Sequence, residues 1–426
     1  MTSRAAEPRS ACPAAPDRAP IAHPSGHCRD RFPRIEGIDA LRGFALFGIF
    51  QVNIQGFAWG AADPLGYLNP PVGTFDIALR FVQAAFFEGK FYPIFAFLFG
   101  AGLAMQTRKF RHMAHSDAAI ARRALHRRLW ILLGMGIAHG FLLYCGDVLG
   151  AYAVCGLLFL WALGAVPGSV PPGRLRAWGV ACAVGAAATI FFPLAVAMFV
   201  PGPNPAGAIP TDLLRARDIY VQGGLLAQLA QRRDDEIVQQ LGSIPMFWPQ
   251  VFAFLALGML AGRAGWLHHP QRYTRVWAAA RRIGLTFGLP CAIAGGIWNT
   301  VHALRAPGQE GGWDDVLLGA SSLLAAAYVA GLLAWFATDR GARVARWLAY
   351  AGRMSLTNYV GQSLAMNGLL SAWGLGLGAH ADRGGLAALG AAVFAAQIVL
   401  SRWILSRYRQ GPLEAMWRIG TYAGLR

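Results

Sequence analysis

One histidine, His139, lies inside the apolar stretch GMGIAHGFLLYCGD, which ends at Asp147. Histidine is the usual general base near neutral pH, and an ionisable side chain in an apolar segment is a functional candidate. A hydrogen-bonded core histidine is the structural alternative. Asp147 follows eight residues later, about two helical turns away. On one straight helix it cannot orient His139, so a carboxylate from another helix, such as Glu88, is expected to do so.

A second polar group marks the first apolar stretch, residues 34–57. Asp39 and Arg42 are three residues apart and share a helix face. Asn53 lies eleven residues beyond Arg42, about three turns, and projects from the same face. One polar face over three turns predicts a lined cavity. The alternatives are a local ion pair and an amide that joins two helices.

Two more groups of polar residues lie in or beside apolar segments. Glu88 and Lys90 precede an apolar helix whose entry Gly89 makes irregular, so they are interfacial anchors or line a cavity. Asn358 and Gln362 are four residues apart and predict a helix that faces a polar interior. The candidate general base is His139, no metal ligands are predicted, and the candidate substrate-binding residues are Asp39, Arg42, Asn53, Glu88, Lys90, Asp147, Asn358 and Gln362.

Membrane helices must position these side chains. The chain is 55% hydrophobic and 14% charged, whereas soluble domains carry about 25% charged residues. Spanning a bilayer as a helix takes roughly 20 apolar residues. The sequence therefore predicts an all-α, polytopic integral membrane bundle of about ten spans, at roughly 38–59, 84–106, 129–146, 148–166, 177–200, 243–262, 282–302, 315–337, 354–374 and 385–405.

The charge distribution sets the predicted topology. The net charge of +17 lies mostly in short loops, including 263–282 and 340–353, rather than in a nucleic-acid-binding patch. The positive-inside rule makes these loops and both termini cytoplasmic. The six cysteines show no metal-ligand or disulfide spacing. The predicted parts are a disordered cytoplasmic tail (1–33), an N-terminal five-helix half (34–200), an external loop with an amphipathic helix (201–242) and a C-terminal five-helix half (243–426).

Five sequence blocks carry a family resemblance: DALRGFALFGIFQVNI (39–54), EGKFYPIFAFLFGAGLAMQ (88–106), RRLWILLGMGIAHGFLLYCGDVL (127–149), GRMSLTNYVGQSL (352–364) and GPLEAMWRIGTY (411–422). With them the chain resembles the YeiB-like family of bacterial inner-membrane proteins, the domain-of-unknown-function 418 family. The resemblance implies a multi-pass protein of the bacterial inner membrane.

That family is similar, more distantly, to transmembrane acyltransferases that use cytoplasmic acyl-CoA. The shared feature is Arg42–Gly43 of the first helix. In the glycan-acylating branch a catalytic histidine stands ten residues after the glycine, but here that position is Asn53. In the lysosomal branch the histidine follows shortly after the helix, and here no histidine occurs between Asn53 and His112. In an acyltransferase reading, His139 would have to take that role.

Three functions follow as hypotheses. In the first, an acyltransferase binds acyl-CoA near Arg42, and His139 activates an extracytoplasmic acceptor, with Asn53, Asn358 or Gln362 stabilising the oxyanion. In the second, a transporter or exporter of small molecules or lipids uses the same polar groups as a path. In the third, the chain is a non-catalytic scaffold or sensor. The lipid bilayer is the expected partner, no resident cofactor is implied, and the oligomeric state is left open.

Overall fold

Helices make up all the regular secondary structure in the part of the chain that the structure describes. The computed structural model describes residues 36–60, 69–113, 118–163, 211–244, 247–305 and 314–423, with single positions between 173 and 187. The predicted tail (1–33) lies outside these ranges, as does almost all of the predicted span at 177–200. The all-helical class is therefore confirmed for the described residues.

Sixteen α-helices lie within the described residues. In chain order they are α1 (Glu36–Trp59), α2 (Gly73–Phe86), α3 (Phe91–Met113), α4 (Ala118–Leu142), α5 (Val148–Leu163), α6 (Thr211–Gln222), α7 (Leu225–Ser243), α8 (Phe247–Ala264), α9 (Thr274–Ile283), α10 (Leu289–Arg305), α11 (Asp314–Ser321), α12 (Leu324–Phe336), α13 (Asp339–Arg353), α14 (Ser355–Leu370), α15 (Arg383–Arg407) and α16 (Pro412–Tyr422). Two 3₁₀ turns, Pro270–Tyr273 and Leu377–His380, and one π-helical turn, Gly284–Gly288, complete the set.

Within the described residues, three stretches are long and apolar enough to cross a membrane: Phe247–Ala264, Val316–Phe336 and Arg383–Arg407. They correspond to α8, to α11 with α12, and to α15. A shorter apolar stretch, Val148–Trp161, lies in α5. Stretches of this length and composition are compatible with a membrane protein. The ten spans and the cytoplasmic termini remain predictions.

Helix α1 is the central helix of the described bundle, because it packs against α3, α13, α14 and α15. Its seam with α13 has no side chains between the backbones at two points. A Cβ on Gly43 would overlap the carbonyl oxygen of Leu348, and a Cβ on Gly352 would overlap that of Asp39. The prediction that 340–353 is a loop is wrong, since these residues form most of α13 and bury an alanine-rich face against α1.

A second glycine seam joins α3 to α8. A Cβ on Gly100 would overlap the carbonyl oxygen of Leu255, and a Cβ on Gly258 would overlap that of Phe97. Small residues at such a crossing let two backbones approach directly, which is a common way to pack apolar helices.

Several predicted spans are interrupted. The span at 84–106 is divided by the turn 87–90 between α2 and α3, where Gly89 has φ +79° and breaks the helix. A turn at residues 322–323 separates α11 from α12 within the span at 315–337. The predicted external loop, 201–242, contains α6 and most of α7 in its described part. A local pattern of apolar residues does not reveal such breaks, since each half remains apolar.

Candidate functional site

The expectation that Asp147 cannot orient His139 is wrong, because the chain reverses direction between them. Helix α4 ends at Leu142, a turn follows in which Gly146 has φ +90°, and α5 begins at Val148. Only glycine adopts such a φ readily. The reversal brings Asp147 Oδ1 to 2.9 Å from His139 Nδ1. This is a close approach of a carboxylate oxygen to a ring nitrogen without an aligned hydrogen bond.

Asp147 also organises the start of α5. Its Oδ2 accepts a hydrogen bond of 2.7 Å from the backbone N–H of Gly150, three residues along the chain. This is the geometry by which aspartate caps a helix N-terminus. A Cβ on Gly136 would come within 2.7 Å of the same oxygen, so this glycine of α4 provides the space for the carboxylate.

The other nitrogen of His139 faces a serine from a distant part of the sequence. Nε2 lies 2.8 Å from the hydroxyl oxygen of Ser363 on α14. One turn earlier on α14, the ring of Tyr359 packs against the imidazole at a tilt of 35° with 4.7 Å between centroids, and its hydroxyl lies 3.4 Å from Asp147 Oδ1. The result is a Ser363–His139–Asp147 array in which each residue is at most 3% exposed.

The order of groups in this array has a chemical meaning. When a serine hydroxyl donates to one imidazole nitrogen and a carboxylate faces the other, the histidine can take the hydroxyl proton while the carboxylate stabilises the imidazolium. The array can therefore generate a serine nucleophile. The contacts place Ser363 and His139 at hydrogen-bond distance, as nucleophile and base must be.

Helix α7 supports the carboxylate end of the array. Glu236 accepts a hydrogen bond of 2.9 Å from the backbone N–H of Gly146. Gln240 donates to Glu236 Oε1 at 2.9 Å and to the backbone carbonyl of Asp147 at 3.1 Å. A Cβ on Gly140 would overlap the Glu236 carboxylate. Burial raises the pKa of Glu236, and the nearby Asp147 raises it further.

A second pair of contacts ties α7 to α4 and α14. Arg232 donates to the carbonyl of Leu142 at 2.6 Å and to Asn367 Oδ1 at 2.9 Å. The amide nitrogen of Asn367 in turn donates to the carbonyl of Leu143 at 2.8 Å. Arg232 and Asn367 are both nearly inaccessible to solvent. These bonds fix the last turn of α4, which carries His139.

The predicted polar face of α1 does not reach this array. Asp39 and Arg42 form an ion pair with each other at 3.1 Å, the local alternative considered from the sequence. Asn53 is half-buried on α1. Within the described ranges, no hydrogen bond or ion pair connects any of the three to His139.

Glu88 belongs to a separate buried cluster. It forms an ion pair of 3.1 Å with Arg80 of α2, which also donates a hydrogen bond to Asn299 of α10. Lys90 donates to the carbonyl of Ala84 at 2.9 Å. All three charged side chains are at most 3% exposed. Glu88 is therefore the partner of Arg80 rather than of His139, and the cluster joins α2, the 87–90 turn and α10.

Asn358 and Gln362 lie on α14 but face α15. Asn358 donates to Ser401 at 2.9 Å and to the carbonyl of Ala351 at 3.1 Å. Gln362 donates to Gln397 at 2.9 Å. Because both amides are engaged in this way, they join helices in this conformation instead of lining the space around His139.

The residues missing from the sequence-based site are Ser363, Tyr359, Glu236 and Arg80. One indication was present: Tyr359, Ser363 and Asn367 recur every four residues and so mark a second polar face on α14. Nothing local indicated that this face meets His139. In the described part of the chain, no group of three or more His, Cys, Asp or Glu side chains is arranged to hold a metal ion.

These features define a class: an all-helical protein with membrane-compatible apolar helices and a buried Ser–His–Asp array. The model of the family "Protein of unknown function (DUF418)" matches residues 261–424. The chain is 30% identical to "Uncharacterized protein YeiB" of Escherichia coli (strain K12) over 397 residues, covering 89% of this chain and 94% of that protein. It therefore belongs to the YeiB-like DUF418 family.

Two further relatives are similar to the chain. "Uncharacterized protein YxaH" of Bacillus subtilis (strain 168) is 26% identical over 409 residues, covering 91% of this chain and 94% of that protein. An "Uncharacterized 39.9 kDa protein in amylase 3'region" of Bacillus acidopullulyticus is 37% identical over 127 residues, or 30% of this chain and 33% of that protein. No solved structure matches the chain.

Proposed function

We propose that the chain is a membrane-embedded acyltransferase in which Ser363 is the nucleophile and His139 the general base. The observation that carries the proposal is the buried array itself, with 2.8 Å from Ser363 Oγ to His139 Nε2 and 2.9 Å from His139 Nδ1 to Asp147 Oδ1. Asp147 lies against Nδ1 and stabilises the imidazolium that forms when Nε2 takes the proton. Tyr359 restricts rotation of the imidazole because its tilted ring packs against it, with 4.7 Å between centroids.

The proposed reaction has two halves. First, Ser363 Oγ attacks the carbonyl carbon of an acyl thioester while His139 Nε2 takes the hydroxyl proton. The carbon–sulfur bond breaks, and the thiolate leaves with the proton from His139. Second, an acceptor hydroxyl or amine gives a proton to His139 and attacks the acyl-serine, and Ser363 regains its proton from His139. All atoms and protons are accounted for without a further reactant.

The proposed substrates rest on the distant resemblance to transmembrane acyltransferases, and the proposed setting rests on the charge distribution of the sequence. We propose acyl-CoA as the donor, approaching from a basic cytoplasmic face, and an extracytoplasmic acceptor. This requires the ten-span topology and the bacterial inner membrane predicted from the positive-inside rule. Asn358 and Gln362 donate hydrogen bonds to Ser401 and Gln397 of α15 in this conformation, so neither supplies an oxyanion donor here.

A labelled-donor experiment tests the proposal. The purified full-length chain is incubated with radiolabelled acetyl-CoA and quenched in acid, and the label is located by mass spectrometry. We expect an acetyl group on Ser363. Ser363→Ala and His139→Gln should reduce acyl-enzyme formation by on the order of 10⁴-fold or more. A fluorophosphonate probe, which reacts with activated serines, gives a readout that does not depend on the donor.

Ser401→Ala is the matched control. Ser401 of α15 is another buried serine, but its hydrogen bond is with Asn358 of α14 and not with His139. This variant should keep wild-type labelling by both reagents. If the Ser363→Ala variant were labelled as fast as wild type, or if neither reagent labelled the wild-type protein, the proposal would be refuted.

A further inference from the structure

Helix α7 has its polar side turned inward. Gln228, Arg232, Glu236 and Gln240 follow one another every four residues and so share one face of the helix. The first three are at most 4% exposed, and the fourth is half-buried. A helix that packs on a protein in water normally shows the opposite arrangement, with apolar residues inward and polar residues outward.

The outward side of α7 is correspondingly apolar. Leu226, Ile237 and Leu241 are 81%, 47% and 63% exposed. At 100° per residue they fall within about 60° of one another around the helix, and Val238, at 71% exposure, borders them. We call these four residues the outer stripe. Four large hydrophobic side chains on one exposed helix face mark a contact surface rather than scattered surface residues.

We propose that the outer stripe of α7 lies against the lipid bilayer, in the zone between headgroups and acyl chains. This inference stands independently of the acyltransferase proposal. A polar inward face with an apolar outward face is the arrangement expected of a helix that separates a polar site from hydrocarbon. The same chain provides three stretches long and apolar enough to cross that bilayer.

Two neighbouring features support a lipid partner. Arg233 and Asp234 interrupt the outward side, are 62% and 58% exposed as side chains, and form an ion pair of 2.7 Å. A neutralised pair with a long arginine stem suits the headgroup level, where charged ends reach water. The neighbouring helix α4 also exposes an apolar side chain, because Leu142, whose carbonyl accepts from Arg232, is 56% exposed.

The position of α7 gives this surface a consequence. Its inward face holds Gly146 and Asp147 through Glu236 and Gln240, directly beside His139. The helix that contacts lipid is thus also the helix that covers the Ser363–His139–Asp147 array. Lipid on one side and the array on the other are separated by the width of a single helix, about 10 Å.

Photocrosslinking of the full-length chain tests the proposal. The variant protein carrying Leu241→p-benzoylphenylalanine is reconstituted in nanodiscs of phosphatidylethanolamine and phosphatidylglycerol. It is then irradiated and analysed by peptide mass spectrometry. We expect a phospholipid adduct at position 241. The control is Gln239→p-benzoylphenylalanine, because Gln239 is also exposed but points about 160° away around the helix. Its lipid adduct should be at least tenfold weaker.

Three results would overturn the proposal. A covalent dimer from position 241 would show that a second copy covers the outer stripe. No adduct at 241, with hydrogen exchange of α7 unchanged between nanodiscs and detergent-free amphipol, would show that the stripe faces water. Equal lipid adducts at 239 and 241 would show that the helix has no preferred side. Each result is independent of whether Ser363 accepts an acyl group.

Discussion

Replacing Asp147 separates its role in the array from its role in the fold. In the wild type, Oδ1 lies 2.9 Å from His139 Nδ1 and Oδ2 accepts from the N–H of Gly150 at 2.7 Å. Asp147→Asn keeps one oxygen for the helix cap but turns an N–H₂ group toward His139, which favours the wrong imidazole tautomer. Asp147→Ala removes both interactions.

The expected loss in free energy of unfolding differs between the two variants. A lost cap costs about 1 kcal/mol, and removing the carboxylate that lies against the buried His139 costs about 1–3 kcal/mol. Asp147→Ala should therefore lower the free energy of unfolding by about 2–4 kcal/mol, and Asp147→Asn by about 1 kcal/mol or less. Acyl-enzyme formation, however, should fall by on the order of 10⁴-fold in both.

Both quantities are measured on the same preparations. Reversible unfolding by steric trapping in bicelles gives the free energy, and quenched incubation with labelled acetyl-CoA gives the rate. Near-wild-type acylation by Asp147→Asn would refute the assignment of Asp147 as the residue that orients His139. Equal stability of Asp147→Ala and wild type would contradict both contacts.

Three other predictions concern stability and pH. Glu88→Gln should destabilise the chain by about 3–5 kcal/mol, because it leaves the buried Arg80 cation without its carboxylate. The double variant Arg80→Met/Glu88→Met should recover most of that loss in the same unfolding assay. Gly258→Ala should be destabilising by about 1–3 kcal/mol or more, since its Cβ overlaps a carbonyl oxygen of α3. Gly331→Ala should not destabilise the chain, because a Cβ there meets nothing within 4 Å. The apparent melting temperatures of the two variants test this difference. Burial raises the pKa of Glu236 above its unfolded value. Its ionisation therefore opposes folding, and stability should increase as pH falls through the folded pKa toward the unfolded value of about 4.3. Glu236→Gln should remove this increase of stability at low pH. A pH profile of stability unchanged from wild type would contradict the role assigned to Glu236.

The helices themselves could be predicted because long apolar runs have few alternatives to a helix. The predicted spans 38–59 and 385–405 differ by at most two residues from Glu36–Trp59 and Arg383–Arg407. The irregular entry at Gly89 was predicted, but the full turn at 87–90 and the turn at 322–323 were not. Whether a chain of apolar residues turns at 87–90 depends on what Glu88 and Lys90 find inside the bundle, namely Arg80 and a backbone carbonyl.

Of the site, His139 could be predicted from the sequence, but its contacts with Asp147 and Ser363 could not. His139 stood out because an ionisable residue in an apolar run needs a partner. The prediction for Asp147 is wrong because it assumes one straight helix, whereas Gly146 permits the reversal between α4 and α5. The contact between His139 and Ser363 joins positions 224 residues apart. No local spacing encodes such a contact, which exists only once α4 and α14 pack together.

The two glycine seams also constrain how sequences in this family can vary. At Gly43, Gly352, Gly100 and Gly258, an added Cβ would overlap a backbone oxygen on the neighbouring helix. Backbone oxygens cannot be replaced by a compensating substitution, so a larger residue at one position has no partner change that would accommodate it. An alignment of relatives that fold in this way should therefore show glycine at these four positions while the apolar residues between them exchange freely.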